Sequence, residues 1–214
     1  IGVRLVGSEM CIRDRYGFSS LELLSAQPCR PFDAHRNGIS IGEAAGFILL
    51  EAGSAAEGDV MLLGAGESSD AHHMSSPHPD GLGARLAMEA ALASAGLRPG
   101  DVDYINLHGT ATQTNDAAED RALVGVFGTA VPVSSTKGAT GHTLGAAGAI
   151  EAVICALALT HGLMPGGGVN MQMPDPALKS RYLIDNVEQP LRRVLSNSFG
   201  FGGTNCSLLF GLVA

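Results

Sequence analysis

Apolar positions recur with two different spacings from residue 60 onwards. Short apolar runs predict strands in VMLLGAGESSD, VDYINLHGT and VPVSS, the second of which ends at His108. The tail LRRVLSNSFGFGGTNCSLLF predicts two more strands around a glycine-rich turn, which would close the sheet in antiparallel fashion. Longer stretches with helical spacing separate these runs. Alternation of strands and helices is typical of an α/β fold.

Three helices are predicted in the same part of the chain. DGLGARLAMEAALASAGLRPGD has the pattern of an amphipathic helix closed by Gly96 and Pro99. An Asp/Glu-rich helix is predicted from Ala117 to Phe127, and an apolar one from Leu144 to Leu159. In this last helix, four apolar residues are predicted to share one face: Ile150, Val153, Ile154 and Leu157.

Residues before position 60 divide into three parts. The first fifteen have no clean period, and VGSEMCIRDR resembles translated sequencing-adapter read-through, so we expect residues 1–15 to be a non-native leader. A short helix from Ser19 to Ser25, the loop CRPFDAHRNGIS and a buried strand in EAAGFILLE follow. The small and polar stretch GSAAEGD predicts a boundary between units at 16–55 and 56–214.

Composition narrows the class of protein. The 214 residues include 29 Gly without a G-X-Y repeat, and 45% of the residues are hydrophobic, so a collagen-like or disordered chain is excluded. Only 5% of the residues are aromatic and none is Trp, so the core must pack small side chains closely. The net charge of −8 argues against a nucleic-acid surface or a basic membrane patch. Four cysteines without CxxC spacing favour reduced thiols and a cytoplasmic location. The apolar run from Leu144 contains Glu151 and is too short to span a bilayer, so we expect a soluble protein.

Two of the seven histidines stand where predicted strands lead into helices. His108 lies in LHGTATQTND, and His142 lies in STKGATGHTLGAAGA, just before a helix whose positive end should keep its imidazole neutral. Two neutral N–H donors aimed at one oxygen would stabilise an enolate or another oxyanion. Taken singly, each histidine also suits a structural role at a tight turn.

Lys137 follows an apolar strand, so we expect it to be partly buried with an acidic partner. Glu119 and Asp116, just after the first histidine motif, are the candidates, and a lysine that reaches solvent along its stem is the alternative. The turn from Ser198 to Asn205 contains three glycines that permit positive φ: Gly200, Gly202 and Gly203. Their backbone N–H groups could complete an oxyanion hole. A glycine-rich hairpin without a function is the alternative.

Other reactive side chains offer less. The loop SSDAHHMSSPHPDG carries His72, His73 and His78 without carboxylate or cysteine spacing for a metal, so a solvated loop and no metal site are expected. None of the cysteines has the surroundings of a nucleophile: Cys155 lies in an apolar helix, and Cys206 begins a strand.

Five motifs in order resemble the signatures of the β-ketoacyl-acyl-carrier-protein synthases, the condensing enzymes of fatty-acid and polyketide synthesis: RPFDAHRNGISIGEAAGFILLE, SSDAHHMSSPHPDG, LHGTATQTND, STKGATGHTLGAAGAIEA and SNSFGFGGTN. The resemblance runs from about Gly17 to Phe210 and covers roughly the second half of the family's length. It implies a thiolase-like layered αβαβα sandwich, here incomplete and mostly the C-terminal half, with residues 16–55 ending the N-terminal domain. It also implies a homodimer or a ketosynthase heterodimer, and an acyl carrier protein as partner.

Roles follow from the resemblance residue by residue. His108 and His142 match the catalytic histidines that stabilise the enolate from the malonyl thioester, and Lys137 matches the lysine that organises the site. Phe201 matches a gating aromatic whose N–H helps form the oxyanion hole, next to Gly202. Two threonines, Thr110 and Thr112, match residues that hydrogen-bond the phosphopantetheine arm of the carrier protein; no bound cofactor is expected. HGTAT and TQTND depart from the commoner HGTST and TPxGD, which leaves the pathway and the acyl chain length open.

The family's nucleophilic cysteine motif belongs upstream of Gly17, where this sequence has the adapter-like string. We therefore expect that the chain as written does not condense thioesters and is poorly stable alone. A non-catalytic chain-length-factor-like subunit is the alternative, but a partner of that kind has no need to keep both histidines and the lysine. Thiolase chemistry is a weaker alternative, because Cys206 does not lie where a second thiolase cysteine is expected.

Overall fold

The computed structural model describes residues 16–213. Residues 16–20 are helical, so the helix predicted from Ser19 ends earlier than expected. The leader prediction for residues 1–15 lies outside the described part of the chain.

One mixed sheet of six strands forms the centre of the molecule. Its strands are β1 (Val60–Ser69), β2 (Tyr104–Asn106), β3 (Pro132–Ser134), β5 (Arg181–Tyr182), β7 (Arg193–Gly200) and β8 (Thr204–Leu212). Across the sheet they lie in the order β1-β8-β7-β2-β3-β5. The strands β7, β2, β3 and β5 are parallel, whereas β8 is antiparallel to both β7 and β1. The strands predicted from residue 60 onwards and the antiparallel tail are confirmed. A small second sheet pairs β4 (Leu163–Met164) with β6 (Val187–Glu188).

Four α-helices follow residue 60 in the described chain: α1 (Leu82–Ala95), α2 (Gln113–Phe127), α3 (Lys137–Thr140) and α4 (Ala147–His161). Gly96 closes α1 in the left-handed conformation, as predicted. Helix α2 begins four residues before the predicted start, because the Thr112 side chain accepts a hydrogen bond from Asn115 N–H and caps it. A 3₁₀ turn, Leu144–Ala146, precedes α4 where a continuous helix was expected.

Successive residues of the central strands point to opposite faces of the sheet, and both faces are covered. Ile105 and Leu195 pack into one core with α1 and α2, while their neighbours Tyr104 and Val194 pack into a second core with α4. The result is a layer of helices on each side of the sheet. Helix α1 lies very close to β1. A Cβ added at Gly64 would lie only 2.5 Å from Ala91 O, so the absence of a side chain there allows this close approach. This approach fits the composition rich in small residues.

Two predicted apolar surfaces are not buried. EAAGFILLE forms no strand and pairs with no strand of the described chain, and Phe47 is 95% exposed. The prediction of a buried strand here is wrong, because an apolar run becomes a strand only where a neighbouring strand completes its hydrogen bonds. In α4 the buried positions are small or polar (Ala147, Glu151, Ala152, Cys155, Ala158) or Leu159, and Leu157 on the predicted apolar face is 52% exposed.

The segment Leu144–His161 is 18 residues long with a mean hydropathy of 1.6, enough by length and composition alone to cross a membrane. Its buried Glu151 pairs with Lys137, and the helix packs against β7 and β8. These contacts are those of a helix that covers a sheet.

Candidate active site

The loop that carries His108 begins where β2 ends, and the first residues of α2 hold it in place. The Glu119 carboxylate accepts hydrogen bonds from His108 N–H (2.9 Å) and Gly109 N–H (2.8 Å). The Asp116 carboxylate accepts from Thr110 N–H (3.0 Å) and Ala111 N–H (3.2 Å). Both acidic side chains therefore satisfy buried backbone donors of this loop.

Burial dominates the electrostatics of these two carboxyls. It raises the pKa of Glu119 to about 7, although the N–H groups of Gly109 and His108 pull in the opposite direction. Burial also raises the pKa of Asp116, against the N–H of Phe32 and the charge of Arg36. Arg36 Nε lies 3.6 Å from Asp116 Oδ2, which links this loop to the preceding segment of the chain.

His142 is held through its backbone and through its ring. Its N–H donates to Ser40 O (2.7 Å), and its C=O accepts from Gly42 N–H (3.0 Å). Leu144 N–H donates to His142 Nδ1 (3.2 Å), so the ring proton of the neutral imidazole lies on Nε2. The ring of His142 is thereby fixed as an Nε2–H donor.

The two histidine rings meet at one place, as the sequence predicted. Their centroids lie 5.2 Å apart at an interplanar angle of 83°, and the Phe199 ring lies 5.7 Å from His108. Burial, with the charge of Lys137 as a second cause, lowers the pKa of His142 to about 3. The same causes, and His142 itself, hold the pKa of His108 well below its ordinary range. Both imidazoles are therefore neutral near pH 7, and burial rather than a helix terminus is the main cause.

Lys137 is fully buried where partial burial was expected, and it has an acidic partner, but not the predicted one. Its ammonium pairs with Glu151 of α4, not with Glu119 or Asp116. The predicted pairing is wrong because both of those carboxylates are already engaged with N–H groups of the His108 loop. Glu151 was missed, although a lone carboxylate in an otherwise apolar helix was the signal that could have found it.

A cavity of about 500 Å³ opens beside the two rings. Its lining includes both histidines, both predicted threonines and the predicted phenylalanine: His108, His142, Thr110, Thr112 and Phe201. The two threonine hydroxyls lie 3.0 Å apart, and Phe201 is half exposed. Mixed apolar and polar walls of this kind suit a small organic substrate.

The glycine-rich turn is tied to the histidine-bearing loop that precedes α1. Gly202, at φ 84°, donates its N–H to Met74 O (2.8 Å), and Gly203 N–H donates to Gly200 O (3.2 Å). These two N–H groups are thus engaged within the protein rather than pointing to a ligand. The expectation that Gly202 presents a free donor is not met in this arrangement.

The remaining candidates are the other histidines and the cysteines. The rings of His72 and His78 lie 5.1 Å apart, but in the described part of the chain no three metal-ligating side chains come together. Cys29 and Cys155 are buried. Cys206 reaches the cavity wall, and burial raises its pKa. Burial also raises the pKa of Cys155, so neither Cys155 nor Cys206 has the lowered pKa of an activated nucleophile.

The fold belongs to the thiolase-like class, and sequence comparison gives the family. The family model described as "Beta-ketoacyl synthase, C-terminal domain" matches residues 60–168, and the "Beta-ketoacyl synthase, N-terminal domain" model matches residues 5–56. The chain belongs to the β-ketoacyl synthase family. The second match begins within the predicted leader, and the gap between the two matches lies in GSAAEGD.

Curated relatives carry the same family name. The chain is 45% identical over 217 residues to the mitochondrial 3-oxoacyl-[acyl-carrier-protein] synthase of Arabidopsis thaliana, covering 92% of this chain and 47% of that protein. It is 39% identical to 3-oxoacyl-[acyl-carrier-protein] synthase 2 of Rhizobium meliloti (strain 1021), over 94% of this chain and 51% of that one. The chain thus spans about half the length of these relatives.

Solved structures agree with the fold. A ketosynthase in complex with its chain length factor from Xenorhabdus doucetiae has a TM-score of 0.83 at 44% identity, covering 96% of this chain and 51% of that one. The ishigamide ketosynthase/chain length factor has a TM-score of 0.88 at 34% identity, and the match covers 95% of this chain and 52% of that one. The thiolase-like ketosynthase fold predicted from the sequence is confirmed.

Proposed function

We propose that the protein acts as a 3-oxoacyl-[acyl-carrier-protein] synthase, joining an acyl thioester to a malonyl thioester with loss of CO₂. The observation that carries this proposal is the meeting of two neutral imidazoles, 5.2 Å between centroids, on the wall of one cavity. Family membership supports it, since the relatives' names state that activity.

The two rings act on the malonyl thioester carbonyl. His142 Nε2–H donates to the carbonyl oxygen, and His108 stabilises the same oxygen from the adjacent wall. When the carboxylate leaves as CO₂, the electron pair of the broken C–C bond forms the enolate. The enolate carbon then attacks the carbonyl of the acyl thioester, a new C–C bond forms, and the thiolate leaves. Neutral rings suit this step because each can donate an N–H hydrogen bond to the developing oxyanion and keep its proton.

The thiol that carries the acyl group is assigned to none of the described cysteines. Burial raises the pKa of Cys155 and of Cys206, which opposes thiolate formation. We propose that a thiol outside the described residues supplies this group, and that the chain without it releases CO₂ but forms no new C–C bond.

The malonyl group is carried on the phosphopantetheine of an acyl carrier protein, so no resident cofactor is needed. Thr110 and Thr112, on the cavity wall beside His108, would hydrogen-bond its amides. Association with a second synthase subunit, identical or related, belongs to the same proposal. One structural neighbour, 26% identical with a TM-score of 0.85, is described as a type II PKS acyl-carrier protein in complex with its ketosynthase.

Decarboxylation of malonyl-[acyl-carrier-protein] labelled at its free carboxylate tests the role of the rings. Loss of one oxyanion donor lowers such rates by about 10²- to 10³-fold, so His142→Ala should lower CO₂ release by that factor. In the intact synthase, which carries the thiol, transfer of an acyl group to it should be less affected, and equal loss of both steps would contradict the assignment. His73→Ala, in an exposed loop position, is the matched control and should leave CO₂ release unchanged.

A further inference from the structure

Residues Gly38–Gly42 form a short extended segment, here called the bridging segment, that contacts both histidine loops through its backbone. Gly38 N–H donates to Ala111 O (3.0 Å), three residues after His108. Ser40 O accepts His142 N–H (2.7 Å), and Gly42 N–H donates to His142 O (3.0 Å), so Ile41 and His142 pair as in a parallel sheet. One stretch of backbone thus fixes the position of the second histidine and touches the loop of the first.

Gly42 must lack a side chain for this pairing to form. A Cβ built there would lie far inside van der Waals contact of Thr140 O and 3.2 Å from Gly141 Cα. From the opposite side, a Cβ at Gly141 would lie 2.9 Å from Gly42 Cα. The two glycine backbones are packed directly against each other, and the opposing atoms are main chain, which moves only if the loop moves.

The bridging segment is itself well anchored, so the loop rather than the segment would give way. Ser40 Oγ accepts Cys29 N–H (2.9 Å), and Ile39 exchanges backbone hydrogen bonds with Leu23 (2.8 Å) and Ser25 (2.9 Å). Ile39 is buried and lines the cavity beside His142. On the other side, Cys29 Sγ–H donates to Lys137 O (3.0 Å), which ties the same region to the start of the His142 loop.

We propose that Gly42 is a positioning residue for His142: its missing side chain lets the bridging segment hold the His142 backbone where the ring meets His108. This inference rests on the proposed function for its catalytic consequence. Its structural part stands on the contacts alone. Gly42 touches no substrate in this role and acts only through the loop it supports.

Gly42→Ala tests the proposal, with Gly100→Ala as the matched control because a Cβ at Gly100 meets nothing within 4 Å. In protein labelled with ¹⁵N-histidine, the wild-type His142 signals should show a neutral ring with the proton on Nε2, unchanged from pH 8 to pH 5. Gly42→Ala should shift these signals and lower the rate of CO₂ release from malonyl-[acyl-carrier-protein] at least tenfold, mainly in kcat. Gly100→Ala should match the wild type in both measurements.

Unchanged His142 signals in Gly42→Ala would overturn the proposal, and so would shifted signals with a wild-type rate. A third outcome separates the two proposals. If the His142 signals shift in Gly42→Ala but neither the wild type nor the variants release CO₂, the positioning role stands and the proposed function fails. Amide exchange in the unmodified protein covers the case in which Gly42→Ala does not fold. The amides of Gly42 and His142 should then exchange as slowly as those in β7, and exchange as fast as at exposed Phe47 would overturn the proposal.

Discussion

At the scale of single residues, the neutral state of the two rings couples folding to pH. His142 has a pKa of about 3 in the folded protein against an ordinary value of 6.5. Below pH 6.5 the unfolded chain takes up a proton at this residue that the folded chain refuses, so this contribution to stability is complete above pH 6.5 and falls as the pH drops towards 3. At pH 5 the loss amounts to at most about 2 kcal/mol for this ring.

The prediction is that the free energy of unfolding, measured by urea titration at pH 7.5 and pH 5, falls less for His142→Gln than for the wild type, by up to about 2 kcal/mol. His108 contributes in the same direction and remains in both proteins. His73→Gln, which changes an exposed ring, should leave the difference between the two pH values as in the wild type. If the free energy of unfolding fell equally between pH 7.5 and pH 5 in His142→Gln and in the wild type, the folded protein would take up a proton on this ring at pH 5 as the unfolded chain does, and the prediction would be wrong.

At the scale of elements, the Lys137–Glu151 pair joins α3 to α4 beneath the site. Their side chains are only 1% and 4% exposed, so removing one charge leaves the other buried without compensation. Glu151→Gln should therefore lower the free energy of unfolding by about 3 kcal/mol or more, read from denaturant titration. Adding Lys137→Met should recover much of this loss.

Glu89→Gln is the control for that prediction, since Glu89 pairs with Arg85 at 3.7 Å on the exposed face of α1. Its effect should stay below about 1 kcal/mol, as for other surface pairs. A loss in Glu151→Gln no larger than in Glu89→Gln would show that Lys137 reaches compensating charge or solvent elsewhere.

Local sequence signals determined which elements could be predicted. Helix α1 and the β7–β8 hairpin have local signals, a periodic apolar face and a glycine-rich turn, and both formed as predicted. The pairing of Lys137 with Glu151 joins residues from different elements, and nothing in the spacing distinguishes it from pairing with Glu119. Gly42 gave no signal because its neighbour, Thr140, lies almost a hundred residues later. Convergence of His108 and His142 was predictable because both follow strands of one sheet.

At the scale of the whole molecule, apolar side chains remain exposed on residues 47–50 and on helix α4, among other positions of the described chain. Phe47, Ile48, Leu49 and Leu50 are 95%, 48%, 82% and 72% exposed, and the outer face of α4 includes Leu157 at 52%. Contiguous apolar surface of this kind is rare on monomeric soluble proteins and promotes association.

We expect the 214-residue chain to bind a hydrophobic dye such as ANS and to self-associate as its concentration rises, measured by fluorescence and by light scattering. Replacing Phe47 and Leu49 together by Ser should reduce both signals. Each side chain is more than four-fifths exposed, so the substitutions remove apolar surface without opening a core cavity. Met74→Ser, at a single exposed position 76% accessible in another loop, should leave both nearly unchanged. A chain that stays monomeric, binds no dye and unfolds cooperatively would mean that residues 47–50 are covered in solution, and the extended, exposed course of EAAGFILLE would then be wrong.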